Sequence, residues 1–186
     1  MTITQSLEAL STWLAENVCP KIDLKCPSDN NAEHYETVKP ASFAMYLPTK
    51  EKLPPGIKAE SPSVVTQLIE GTHTMTEGRT RLKLQLSFTS WNPGIHPGES
   101  STGAKTLERN SEGWKDVWNF VERALQEIEN AEYLNGLRVV KEQGITFGQF
   151  QQEEQVSDLY PYWGAWAILT VEQGLARTAE AYKEFL

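Results

Sequence analysis

Cysteine is scarce in this chain: its 186 residues hold two, Cys19 and Cys26. Neither has a histidine at finger-like spacing, and a structural zinc site wants four ligands, so the pair makes a poor metal site. In a reducing compartment both thiols are expected to stay reduced. Long apolar runs are also missing. No stretch approaches the roughly 20 residues that span a bilayer. The opening MTITQSLEALSTWLAENV lacks a basic region followed by an apolar one, so synthesis in the cytoplasm without a signal peptide is expected. Cations are in the minority, with 17 Lys plus Arg against 25 Asp plus Glu and a formal net charge of -8. That disfavours a broad non-specific nucleic-acid binder, which must neutralise many phosphates, but leaves room for a local basic patch. The hydrophobic fraction is 39% and the mean hydropathy -0.46. The polar excess sits in a stretch near the N-terminus and around residues 89–111.

Aromatics are present in force: six Trp, six Tyr and six Phe. They argue against a wholly disordered chain. The length suits a single domain that buries about two-thirds of its unfolded surface without staples. Signatures of common enzyme chemistry are lacking. There is no GxxxxGK[ST] or GxGxxG phosphate cradle and no GxSxG elbow. His34, His73 and His96 fall far apart in expected loops, with no ligand spacing and no neighbouring nucleophile. Carboxylate pairs such as Glu127 with Glu129 and Glu153 with Glu154 read as solvated surface. The expectation is a non-catalytic chain without cofactor or metal.

Periodicity gives the element order. Leu7, Leu10, Trp13 and Leu14 recur at helical spacing over Ser6 to Asn17, with Thr4 or Ser6 as cap and Pro20 as stop. Residues 19–40 carry no period and read as a loop or loosely packed arm within a polar segment, 19–60. Ser42 to Leu47 reads as a strand. The proline-rich run 49–62 is a connector, because Pro54-Pro55-Gly56 continues neither a helix nor a central strand. Ser63 to Glu70 is β-branched and apolar. Arg79 to Phe88 alternates, with Leu82, Leu84, Leu86 and Phe88 on one side and Arg81, Lys83, Gln85 and Ser87 on the other. The two read as an antiparallel hairpin turning at GTHTMTEG. Residues 89–111 form a long Pro/Gly/Ser-rich loop, the kind that is usually functional or disordered. From Glu112 to Ala131, Trp114, Val117, Trp118, Val121, Leu125 and Ile128 make the strongest helical stripe. Asn110 or Ser111 is its expected cap, and Asn135-Gly136 is expected to end the segment in a left-handed cap or turn. Leu137 to Glu142 reads as a short strand. Tyr160 to Glu172 is apolar at nearly every position, like a strand buried on both faces. The class is α+β: a small, mostly antiparallel sheet packed by an N-terminal helix and one long amphipathic helix.

Some residues offer themselves for contacts. Tyr160, Tyr162, Trp163 and Trp166 crowd the last strand, and either a strand buried between layers or a neighbouring subunit accounts for them, with Tyr160, Tyr162 and Trp163 the interface candidates. Arg81 and Lys83 form a short basic row, which reads as a solvated face, a strip that meets an acidic neighbour, or a lining for DNA. Trp91 and His96 belong to the long loop and count as interface candidates with it.

The succession SPSVVTQLIEG, RTRLKLQLSF, a long loop, GWKDVWNFVERALQEI, LNGLRVV and YPYWGAWAILTVE resembles the tail terminator, or tail-completion, proteins of tailed phages and phage-tail-like particles. The YPYW element before the last strand is its most specific part. The resemblance spans residues 60–177 together with the N-terminal helix and its Trp13-Leu14. It implies one domain over 1–177 with a tail at 178–186. It implies a six-fold ring that caps the head-proximal end of the tail tube, stops tube polymerisation and presents a surface to head or neck. The partners implied are further copies of the chain and the tube protein, then sheath and neck or head-completion proteins, with DNA passing through the ring and no membrane. The place implied is a virion or phage-tail-like particle assembled in the host cytoplasm. Related structural roles with the same class of domain are a head–tail adaptor, a neck protein and a tube subunit. A small enzyme or ligand-binding domain, with the aromatic strand as pocket wall, is the alternative of a different kind.

Overall fold

The computed structural model of the chain describes residues 1–28, 31–95, 108–109, 112–152, 155–156 and 160–173. Its elements in chain order are α1 (Ile3–Asn17), β1 (Leu24–Ser28), β2 (Asn31–Val38), β3 (Ala41–Ala44), β4 (Ser63–Thr74), β5 (Arg79–Trp91), β6 (Gly94–Ile95), β7 (Glu108–Arg109), α2 (Trp114–Asn130), β8 (Tyr133–Leu134), β9 (Leu137–Val139), β10 (Thr146–Gln149), β11 (Gln151–Gln152), β12 (Gln155–Val156) and β13 (Tyr162–Gln173). The fold is α+β. Its main sheet runs β3-β4-β5-β13-β9-β8, with β10 also on β13. Only β3 and β4 run parallel; the other pairs in this sheet are antiparallel. β13 is the axis of the sheet. One edge pairs with β5 from Tyr162↔Trp91 to Glu172↔Arg81. The other edge takes β10 along Ala165–Ile168 and then β9 along Val171–Gln173.

The alternation of β5 decides the layers. Leu82, Leu84, Leu86 and Phe88 are fully buried, and Val171, Leu169, Ala167 and Ala165 stand opposite them on β13. Both helices lie on this side and join the same apolar cluster through Leu7, Leu10 and Leu14 of α1 and Val117, Phe120, Val121, Ala124 and Ile128 of α2. Phe120 meets Phe88 edge to face at 5.0 Å, a geometry the ring quadrupoles favour. Thr2 caps α1 in a reciprocal pair with Gln5. The Thr2 hydroxyl accepts from the Gln5 amide at 3.2 Å and the Gln5 side chain from the Thr2 amide at 2.8 Å.

Several expectations need correction. Residues 19–40 are not a loop: β1 and β2 form an antiparallel hairpin from Leu24↔Val38 to Ser28↔Asn31. Leu24 and Cys26 are buried while the intervening Lys25 is not, a period of two too short to stand out among polar neighbours. The cap of α1 is Thr2, ahead of Thr4 and Ser6. The two helices are of similar length, 15 and 17 residues, in place of one dominant helix. On α2 the buried stripe runs through Phe120 and Ala124, whereas Trp114 is exposed. Phe120 faces Phe88, and Ala124 supplies the small side chain that lets the helix approach the sheet. Its N-cap is Gly113, with no side-chain cap.

Helix α2 ends at Asn130, one residue short of the expected Ala131, and of the two uses expected of Asn135-Gly136 the structure shows the turn. Both residues have positive φ, 49° and 88°, and they turn β8 into β9, the use to which Asn-Gly is best suited. The β4–β5 hairpin is longer than expected and turns only at 75–78. β3 stops at Ala44, where Met45 takes φ 70°. β13 is buried on its helix side and half-buried on the other, so it is not covered on both faces. Residues 96–107 of the long loop, and the tail 178–186, lie outside the described residues.

Candidate assembly interface

The sheet face turned away from the helices is the candidate surface. No helix among the described residues packs on it, and strand alternation fills it with polar side chains. Gln85 donates to the Ser87 hydroxyl at 3.0 Å, Ser87 donates to Gln67 at 2.9 Å, and Ser63 and Thr89 share a hydrogen bond of 2.9 Å. Gly148 and Trp166 stand cross-strand here. A Cβ on Gly148 would come within 2.7 Å of the indole, so the glycine leaves space for the ring. The Trp166 Nε1–H donates to the Gln149 carbonyl at 3.0 Å.

Arg81 and Lys83 lie on this face toward the hairpin end, both exposed. Arg81 Nε donates to Glu172 at 3.1 Å, and the Glu172 side chain is only 11% exposed. Arg81 therefore serves a structural ion pair. Lys83 has no ion-pair partner among the described residues, which leaves its charge available. Tyr162 lies at the other end of the same strand pair, at 46% exposure. The structure therefore does not bring the basic row and the aromatic group together: about ten residues of strand, roughly 33 Å, separate them.

The aromatic candidates divide. Trp91 is 3% exposed, cross-strand from Tyr162, and is no surface residue; its place is the packed end of β5. Trp163 is half-buried on the helix side. Its Nε1–H donates to the Asn92 carbonyl at 3.3 Å, and its indole occupies the space a Cβ on Gly113 would need. Tyr160 donates from its hydroxyl to the Pro93 carbonyl at 2.7 Å. Of the aromatic candidates, Tyr162 keeps the freest outward surface. His96 lies outside the described residues.

Asn92, buried at this end of the sheet, was not legible as a key residue. Its Nδ2 donates to Asp116 at 2.6 Å; its Oδ1 accepts from Lys25 Nζ at 3.0 Å and from the Gly94 amide at 2.9 Å. Its backbone amide donates to Pro161 at 2.9 Å. One residue thus ties β1, β6 and α2 together through its side chain and the entry to β13 through its backbone, and hydrogen bonding makes such a buried polar group an asset. In sequence it sits in N-P-G, which reads as a loop.

Beside Tyr162 the open face sinks into an apolar trough of about 460 Å³, lined among others by Leu47, Pro48, Glu60, Phe150, Tyr162 and Trp163. Phe150 reaches over Gly164, where a Cβ would lie within 2.8 Å of its ring. The sequence signal for this wall was weak: SFAMYL reads as one strand, yet Met45, Tyr46 and Leu47 leave the sheet and are exposed. Among the described residues, no group of three or more His, Cys, Asp or Glu is placed to hold a metal, and no helix is long and apolar enough to cross a membrane. Burial pushes the Cys19 thiol up to about 12, so it is a core group, not a nucleophile. Neither known family models nor curated proteins give a match to this chain.

Proposed function

We propose that this chain is a structural subunit of a phage or phage-like tail. Copies of it, six by the resemblance, form a ring at the head-proximal end of the tail tube and terminate tube growth. The observation that supports this best is the open sheet face, with a long hairpin projecting at one end and an apolar trough at the other. A ring needs two different patches on each subunit, so that head-to-tail contacts close on themselves. The succession of elements around the YPYW strand, from which the resemblance was drawn, is consistent with that arrangement.

In this reading the chain carries no reaction. One face of the ring fits the tube, and the other refuses a further tube layer, which is specificity by exclusion. The ring works inside the host cytoplasm and stays in the particle. The test is genetic. A particle-producing strain without this chain should make tubes of uncontrolled length, and supplying the chain in trans should restore one length. Tubes of normal length in its absence would contradict the proposal.

A further inference from the structure

Among the described residues, the β4–β5 hairpin extends past the rest of the sheet. Its pairing runs to Thr74↔Arg79, while the described pairing of β13 with β5 ends at Glu172↔Arg81. At its tip stands Met75, 87% exposed, more than any other large apolar side chain in the described residues. Gly78, at φ 65°, closes the turn, and its amide donates to the Thr74 carbonyl at 2.7 Å. A methionine on a rigid arm is an apolar knob with a flexible, polarizable end. The apolar trough lies at the opposite end of the same two strands, beside Thr89, which pairs with Ser63 at the start of β4. Twelve residues of strand hold knob and trough roughly 35 Å apart. No chain can fill its own trough with its own tip.

We propose that the Met75 tip of one copy docks in the Leu47–Phe150–Tyr162 trough of the next copy, as the head-to-tail contact of this chain's own assembly. The occupant is a second copy of the same chain, on two grounds. The apolar knob and the apolar hole are separated along one rigid sheet, as a heterologous contact requires. The charges also match. Glu60 at the trough has no cationic partner among the described residues. Among the described residues, Arg79 behind the tip has only an exposed ion pair, with Glu77 at 3.6 Å, of a kind worth little and readily exchanged for Glu60 of the neighbour. A single knob buries far less than the roughly 1,200 Å² of a stable interface. Free chains should therefore associate weakly, and a template such as a tube end should complete the ring. The contact rests on the ring reading only for closure.

The test places the photo-cross-linker p-benzoylphenylalanine at position 75 of the full chain. The chain is irradiated at about 0.1 mM, where weak contacts of sub-standard area are populated, and the products are mapped by mass spectrometry. The expected products join position 75 to Leu47–Thr49, Phe150 or Tyr162 of another copy. Leu47→Asp should lower their yield about tenfold, the change expected from a loss of about 1.4 kcal/mol. Circular dichroism checks that this variant is folded. In parallel, Met75→Asp should abolish the concentration-dependent rise in sedimentation mass. Cross-links to another surface, or none at that concentration, would overturn the contact. Particles labelled at the tube end with cross-links elsewhere would retain the ring and discard this contact. Cross-links in the trough with no particle label would retain the contact and discard the tail.

Discussion

Gly113→Ala should weaken the fold, and it separates packing from assembly at the aromatic end of the sheet. Gly113 has φ -61° and ψ -18°, an ordinary helical conformation open to any residue, so backbone strain plays no part. Space decides. A Cβ there would lie 2.2 Å from Trp163 Nε1, 2.7 Å from its Cδ1 and 2.9 Å from Asn92 Cβ. All three are fixed groups, not the ends of flexible chains. The indole must retreat, which breaks its 3.3 Å bond to the Asn92 carbonyl at about 1 kcal/mol. Overpacking adds about 1–3 kcal/mol. The expected loss is about 2–4 kcal/mol, read as a lower urea midpoint at unchanged slope. In Trp163→Leu the clashing ring is gone. Adding Gly113→Ala to that background should cost at least about 1 kcal/mol less than in the wild type, a coupling of the size neighbours show. Full stability of Gly113→Ala, or strict additivity of the two changes, would refute the account of Trp163 as a packing residue.

Three further outcomes follow from individual side chains. Cys19 is neutral in the folded core and titrates near its usual 9.0 when unfolded. Above that pH the unfolded state binds fewer protons than the folded one, so stability falls as pH rises. Between pH 8 and 10 the wild type should lose about 1 kcal/mol more than Cys19→Ala, by denaturation at each pH; parallel curves would contradict this. Arg81→Gln should cost about 1 kcal/mol by stranding the nearly buried Glu172, whereas Lys83→Gln should stay within about 0.5 kcal/mol; equal effects in thermal melts would count against the distinction. Thr66 is buried with no hydrogen-bond partner for its hydroxyl among the described residues, so the near-isosteric Thr66→Val should stabilise by about 1 kcal/mol, and a lowered melting temperature would show that the hydroxyl has a partner.

The sequence carried the layers of the fold better than its edges. The alternation Leu82-Leu84-Leu86-Phe88 fixed one strand, its buried side and the side on which helices must lie, because a period of two leaves no other choice. The β1–β2 hairpin escaped because its buried residues, Leu24 and Cys26, are few and sit in a polar stretch. Asn135-Gly136 reads equally as a cap or a turn, because the same left-handed conformation serves a helix cap and a two-residue hairpin; the pairing of β8 with β9 distinguishes them. The contact residues were less legible still. Trp91, Tyr162 and Trp163 look alike in sequence, yet strand parity and the neighbours Gly113 and Asn92 give each a different fate. The trough depends on Leu47, Phe150 and Tyr162 meeting from three separate segments, which no local pattern records.

The central claim concerns place, and imaging tests it most directly. Native particles carrying a tag at Leu186 of this chain should show density at one end of the tube, the head-proximal end, once per particle. Label repeated along the tube would make the chain a tube subunit, and particles without any label would contradict a tail role altogether.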